Sequence, residues 1–417
     1  MRAADARVAR EAQTLLAGAG ISATALAGPF REAPDGEDIR IHADEDGAEH
    51  TGSSVLASLT ACRIETAPVV HHHIQSGAIA LNGPPRLLAT QIDTWTRVAI
   101  AEEERSRRAA TAHALGIAQP EPLQPRKLRA LYIGAPSSMF LALERTLTEK
   151  GGLVAAAFTS YSGFDHLHDE PFDAVVLNGA NDPSTALSLC SALRRNAALY
   201  HLPTLMLAKP GDTATAAAAV DRGASAICST LTPCDASLGW LFEAVRRERR
   251  RRAAEHEMRA LRDLMGDPRT GLWLRDPFEA HLARLAKDHH ASGRPMSVVA
   301  LRVTPAIGAR EPSPEVWRKG FSEIASLAAR LMRDADSGMT IGGDLIALAL
   351  PAARLTNAKR TAERIASVAE CTAFASGDGG AGPLVFEQSV AELQPGESGG
   401  ALLARALRAI EVESIPA

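Results

Sequence analysis

A repeat limits the architectures open to this sequence. TWTRVAIAEEERSRRAA, from Thr94, resembles GWLFEAVRRERRRRAAE, from Gly239. Each carries a tryptophan, then a mixed apolar stretch, then an arginine-rich polar face ending in Ala-Ala. A strand-like run with a Gly-Ala start precedes each one, GAIALNGPP at Gly77 and GASAICSTLTP at Gly223. One supersecondary plan used twice is the natural reading. The stretch between, GIAQPEPLQPRK from Gly116 to Lys127, carries three prolines and reads as a linker.

Downstream of the linker, strand-like and helix-like patterns alternate. LRALYIG, FDAVVLNG, LPTLMLA and GASAICS are apolar runs of strand length. SSMFLALERTLTEKG, ALSLCSALRRN, TATAAAAVDRG and ASLGWLFEAVRRERRRR are helical. Such alternation predicts a parallel sheet covered on both faces. The last helix meets no breaker before Met265, after which Gly266, Asp267 and Pro268 interrupt the chain. A further region mixes helices (FEAHLARLAKD, FSEIASLAARLMRDA) with strands (MSVVALRV, MTIGGDLIALALP). With 417 residues, too many for one core, the expected domains are 1–115, 126–250 and 262–417.

A net charge of -4 offers no general attraction to nucleic acid or an anionic membrane. The six arginines between Arg246 and Arg252 point all round a helix axis and are flanked by Glu243, Glu248, Glu255 and Glu257, so a solvated stalk is expected. The five cysteines show no CxxC spacing, which fits a reducing cytosol. His71, His72 and His73 alternate faces if they lie on a strand and have no acidic or thiol neighbour to complete a metal set. No apolar run reaches the length of a membrane span, and membrane insertion is not expected.

The second repeat resembles a response-regulator receiver domain stripped of its chemistry. Phosphoryl transfer in that family needs clustered carboxylates for magnesium, an Asp nucleophile ending the third strand, and a Lys near the fifth. Here the acidic pair is Gly134 and Ala135, the nucleophile position is Asn178, and the Lys-Pro position is Thr230 and Leu231. In the first repeat DIRIHAD matches the third-strand pattern, which makes Asp44 a candidate phosphoacceptor and Asp5 a candidate metal carboxylate. The first strand there is missing or much shortened.

The third region resembles a GGDEF, or diguanylate-cyclase, domain over about 150 residues. DPRTGLWLRDPFEAHL from Asp267 is similar to its opening motif, and GGDLI, Gly342 to Ile346, to its signature loop. The resemblance implies a reaction joining two GTP molecules on carboxylate-bound metals. Yet the metal Asp is Arg302, its partner is Thr304, and after Gly342, Gly343 and Asp344 the expected glutamate is Leu345. No catalysis and no required cofactor follow. The family's inhibitory site for cyclic di-GMP, Arg-x-x-Asp five residues ahead of the glycine loop, is retained as Arg333 and Asp336 in RDADSGMTIGG. An arginine fork matches guanine O6 and N7, and a carboxylate accepts from the base N–H edge. The pair is expected at i, i+3 on the end of the preceding helix, where its competing role is an exposed intrahelical ion pair. Arg284 and Lys287 are candidate further contacts, and the ligand could bind as a monomer or an intercalated dimer.

The expected fold class is therefore α/β, two receiver-like (flavodoxin-like) doubly wound domains followed by a GGDEF domain of nucleotidyl-cyclase-like α+β fold. The whole order resembles a class of alphaproteobacterial cell-cycle effectors. That resemblance implies a cytoplasmic cyclic di-GMP receptor at the cell pole, delivering substrates such as the response regulator CtrA to the ClpXP protease through adaptor proteins. A homodimer is compatible with it. Two rivals stay open: a response regulator gated by phosphorylation of Asp44, and a ligand-independent scaffold or weak GTP binder using Asp344.

Overall fold

The computed structural model describes residues 2–3, 5–27, 39–43, 57–69, 76–124, 126–309, 311–372, 374 and 383–413. Its chain divides into two compact units, Met1–Ala99 with Leu123–Arg252, and Ile100–Pro122 with Ala253–Ala417. No helix among the described residues is long and apolar enough to cross a membrane.

The first unit holds two parallel sheets. Strands β1 (Arg2–Ala3), β2 (Leu26–Ala27), β3 (Ile39–His42), β4 (Ala57–Cys62) and β5 (Ser76–Ala80) lie in the order β2-β1-β3-β4-β5, with helices α1 (Ala6–Gly18) and α2 (Pro85–Ala114). Strands β6 (Arg129–Ile133), β7 (Leu153–Ala157), β8 (Ala174–Asn178), β9 (Thr204–Ala208) and β10 (Ala226–Ser229) repeat the plan as β10-β9-β8-β6-β7. Helices α3 (Ser138–Glu149), α4 (Ser160–Asp169), α5 (Pro183–Arg195), α6 (Thr213–Asp221) and the long α7 (Cys234–Met265) connect and follow them. Read from each sheet's own first strand, both orders are 2-1-3-4-5, the flavodoxin-like doubly wound order. Every residue of β8 and β9 is buried, the reason these strands read as unbroken apolar runs. The sequence reading had no strand β7 and no helix α4. LVAAA is mostly alanine, with Val154 its one β-branched residue and no aromatic, and SYSGFDHLHD has no clear helical stripe.

The shortened first strand of the opening repeat is two residues long. Asp5 is no metal carboxylate among the described residues: it caps α1, its Oδ1 accepting the Arg7 N–H at 2.7 Å. The expected solvated arginine stalk is also corrected. Arg247 is 5% exposed, and Arg246 and Arg250 both donate to the Ser76 carbonyl and lie over the Trp95 ring. Arg249 meets the buried Asp173 at 2.9 Å. Long arginine stems bury their methylenes while the guanidinium finds a carbonyl or carboxylate.

In the second unit β11 (Met296–Pro305), β12 (Ser337–Ile341), β13 (Leu345–Pro351) and β14 (Leu384–Glu392) form an antiparallel sheet in the order β12-β13-β11-β14. Helices α8 (Arg275–Ser292), α9 (Pro314–Leu331), α10 (Leu355–Glu370) and α11 (Gly399–Glu413) flank it. Alternate residues of β11 supply opposite cores. Val299 and Leu301 pack with Phe321, Ile324 and Ile365 from α9 and α10, whereas Val298 and Ala300 pack with Phe278, Leu282 and Leu402 from α8 and α11. The TGLW segment enters through a tight turn: Gly271 has φ 71°, its N–H donates to the Asp267 carbonyl at 2.8 Å, and Leu272 is 1% exposed.

Candidate functional site

The receiver positions come first, because their chemistry is replaced by a closed hydrogen-bond set. Asn178 ends β8 and is 6% exposed. Its Nδ2 donates to the Tyr132 hydroxyl at 2.8 Å and the Ala135 carbonyl at 3.3 Å, and the Tyr132 O–H reaches the same carbonyl at 2.9 Å. Gly134, at φ 139°, leaves no room for a side chain, since a Cβ there would sit 2.7 Å from the Asn178 Cβ. An acidic side chain at position 134 has no place beside this strand end. Asn178→Asp is accordingly expected to take no phosphoryl group from acetyl phosphate, as read by intact-protein mass. A mass gain of one phosphate would contradict this account. Asp44 and His71–His73 lie outside the described residues.

The glycine loop is the turn between β12 and β13. Gly342 takes φ 61°, the left-handed conformation that favours glycine, and the Gly343 carbonyl accepts the Trp317 Nε1–H at 2.8 Å. Leu345, where a second acid is expected, begins β13 and packs toward the core. Arg302 projects from β11 at the position of the metal Asp and lies 3.6 Å from Asp344 and 3.8 Å from Glu387. A cation therefore stands beside Asp344 and Glu387, and charge repulsion opposes a divalent ion there.

Arg333 and Asp336 are brought together by a different device from the one expected. Helix α9 ends at Leu331, and Met332 is already extended with ψ 157°. Residues 333–336 form a turn closed twice: the Asp336 N–H donates to the Arg333 carbonyl at 3.0 Å, and the Arg333 N–H donates to Asp336 Oδ2 at 2.8 Å. The pair is thus not an i, i+3 pair on a helix, and no side-chain ion pair joins it. The carboxylate offers the backbone an alternative to the next helical bond and stops the helix. The Arg333 guanidinium is exposed and makes no hydrogen bond or ion pair among the described residues. Asp336 is 8% exposed, and its Oδ1 carries no hydrogen bond among them. Burial raises its carboxyl from 3.8 to about 6, against the pull of the Arg333 N–H and the charges of Arg333 and Arg108.

Sequence reasoning missed the support beneath this turn. Arg108, 2% exposed, donates from Nη2 to the carbonyls of Asp334 at 2.7 Å and Asp336 at 3.0 Å. Its Nε donates to Glu104 Oε1 at 2.9 Å; Arg107 Nη1 reaches Glu104 Oε2 at 2.7 Å, and His281 Nε2 faces Oε1 at 3.0 Å. Arg364 of α10 donates to the Leu331 carbonyl at 2.8 Å and places a further cation at the end of α9. Arg284 and Lys287 lie on α8. Arg284 Nη2 is 3.5 Å from the Ala110 carbonyl, Lys287 is exposed, and no hydrogen bond or ion pair of either reaches Arg333 or Asp336. No signal local to the sequence marks Arg108. The Arg364 cation, 22 residues past the first loop glycine, was legible only once α10 was placed.

No family model matches the chain, and no curated protein matches it. Solved structures do. The GGDEF domain of DgcB from Caulobacter crescentus, in complex with c-di-GMP, is 20% identical, with 36% of this chain and 86% of that one covered at a TM-score of 0.30. The FimX GGDEF domain from Pseudomonas aeruginosa is 15% identical, with 36% and 92% covered at 0.29. The chemotaxis response regulator CheY4 of Vibrio cholerae is 17% identical, with 28% and 99% covered at 0.27. Strand order itself carries the fold: the chain is an α/β protein with two flavodoxin-like parallel sheets followed in sequence by an antiparallel sheet flanked by helices.

Proposed function

We propose that the second unit is a receptor for cyclic di-GMP and that the chain acts as a catalytically silent effector of response-regulator-like build. The observation that carries this reading is the turn at 333–336. It presents an exposed guanidinium beside a carboxylate oxygen, neither with a hydrogen bond among the described residues, on backbone held by a buried arginine. The fork of Arg333 suits guanine O6 and N7, and Asp336 suits the N–H edge of the same base. Arg302 stands in the way of the metal chemistry that a cyclase needs.

Calorimetric titration of the full chain with cyclic di-GMP, and separately with GTP, tests the reading. Saturable binding of the cyclic dinucleotide is expected, and its absence would sink the proposal. Incubation with GTP and magnesium should yield no cyclic di-GMP by chromatography. Affinity should also depend on pH. Asp336 must be ionised to accept two N–H groups, so binding is full above about pH 6 and weakens as pH falls through that value. Asp336→Asn keeps an acceptor for the Arg333 N–H and should remove this acid limb; a limb that persists in the variant would assign it to another group.

At a finer level, the arrangement resembles PopA, the alphaproteobacterial cell-cycle regulator. On that likeness, the loaded receptor would bring substrates such as CtrA to ClpXP through adaptor proteins at the cell pole. A second sheet domain with Asn178 in place of the phosphoacceptor is suited to protein docking, which supports the likeness. Pull-down of purified CtrA and adaptor, with and without cyclic di-GMP, tests it; retention indifferent to the ligand would remove the effector role.

A further inference from the structure

Arg108 grips backbone as well as a carboxylate. Its Nη2 bridges the carbonyls of Asp334 and Asp336 at 2.7 and 3.0 Å, its Nη1 reaches the Met258 carbonyl of α7 at 3.2 Å, and its Nε meets Glu104 at 2.9 Å. The guanidinium carbon lies 5.4 Å from the centroid of the Trp273 ring. One planar group thus ties the turn to two helices at a site that is 2% exposed. Asp336 itself is nearly buried, so the turn cannot shift without disturbing these bonds. A guanidinium makes such a two-carbonyl bridge because its donors are fixed in one plane, and an ammonium presents a single point.

Resting on the receptor reading above, we infer that Arg108 is the positioning residue of the cyclic di-GMP turn and couples ligand affinity to the helical segment Ile100–Ala114. By holding the two carbonyls, it sets the separation at which Arg333 and Asp336 meet the guanine edge. Coupling of this kind is reciprocal. A ligand that steadies the turn must steady the Arg108 segment by the same free energy, and a change that loosens the segment must weaken the ligand.

Two measurements on the full chain decide the matter. Arg108→Lys keeps a cation beside Glu104 but loses the bridge. It should bind cyclic di-GMP about tenfold more weakly, the loss expected for one charge-assisted hydrogen bond. Thermal unfolding is followed alongside, with Arg333→Ala as the reference for a lost direct contact. In the unsubstituted chain, saturating ligand should slow backbone hydrogen exchange across 104–112 as well as 333–336, a readout that a merely structural role would not move. Arg108→Lys binding like the parent while Arg333→Ala fails would overturn the inference and leave the receptor reading standing. Ligand protection confined to 333–336 would overturn it too, even if Arg108→Lys does not fold. A parent chain that ignores the ligand would remove both.

Discussion

Arg333→Ala is expected to bind cyclic di-GMP some ten- to a hundredfold more weakly than the parent and to unfold at the same temperature. The loss corresponds to about 1–3 kcal/mol, the worth of a bidentate base contact. Stability should be untouched because the Arg333 guanidinium is exposed and makes no bond within the described residues. Its structural contribution is the backbone N–H donated to Asp336, which alanine retains. Asp336→Ala would behave differently. It removes the cap on that N–H and leaves a small cavity at a nearly buried position, so binding and folding should fall together. Calorimetry and thermal unfolding on both variants separate the two patterns. Equal affinity in Arg333→Ala and the parent would place the ligand elsewhere.

A second large effect is expected at Glu104. Replacement by alanine should destabilise the second unit by about 3–5 kcal/mol, the range for breaking a buried ionic cluster from one side. The carboxylate is fully buried and holds Arg107, Arg108 and His281 together. Its removal leaves Arg108, itself 2% exposed, without its salt-bridge partner. Arg107 keeps Glu103 at 2.8 Å and Asp288 at 2.9 Å, so the loss should stay short of collapse. Burial alone would push the Glu104 carboxyl up. His281 and the two guanidiniums outweigh it and hold the group well below its ordinary 4.5. The sign follows from linkage. A carboxyl whose folded pKa is depressed contributes fully above pH 4.5, and the contribution is lost as pH falls below that value. Urea unfolding at pH 7 and pH 4 reads both effects. The gap between parent and Glu104→Ala should narrow in acid, and a gap that widens would contradict the assignment.

How much of this was legible beforehand differs from element to element. The tandem plan was visible because Trp95 and Trp240 occupy matching places in α2 and α7, and both are buried where each helix packs on its own sheet. The strands β8 and β9 were plain because burial on both faces favours apolar residues, and a single polar residue sits at one end of each. β7 escaped notice because this half-exposed edge strand is mostly alanine, which declares no period. The arginines of α7 were misread as solvated. Their partners, the Ser76 carbonyl and Asp173, lie 76 to 174 residues away in the chain.

For the turn at 333–336 the division falls along the same physical line. The resemblance to the GGDEF family singled out Arg333 and Asp336 ahead of Gly342, and a cation, Arg302, at the expected metal position, because residue identity at a fixed offset from a motif is local information. Only the folded arrangement decided that the pair sits on a doubly closed turn rather than a helix face, that Asp336 is nearly buried, and that Ile100–Pro122 joins the second unit. It also brought Glu104 to His281 across 177 residues. Charges on a helix look like a solvent face until a distant segment supplies the counter-charge, and which segment does so is set by packing.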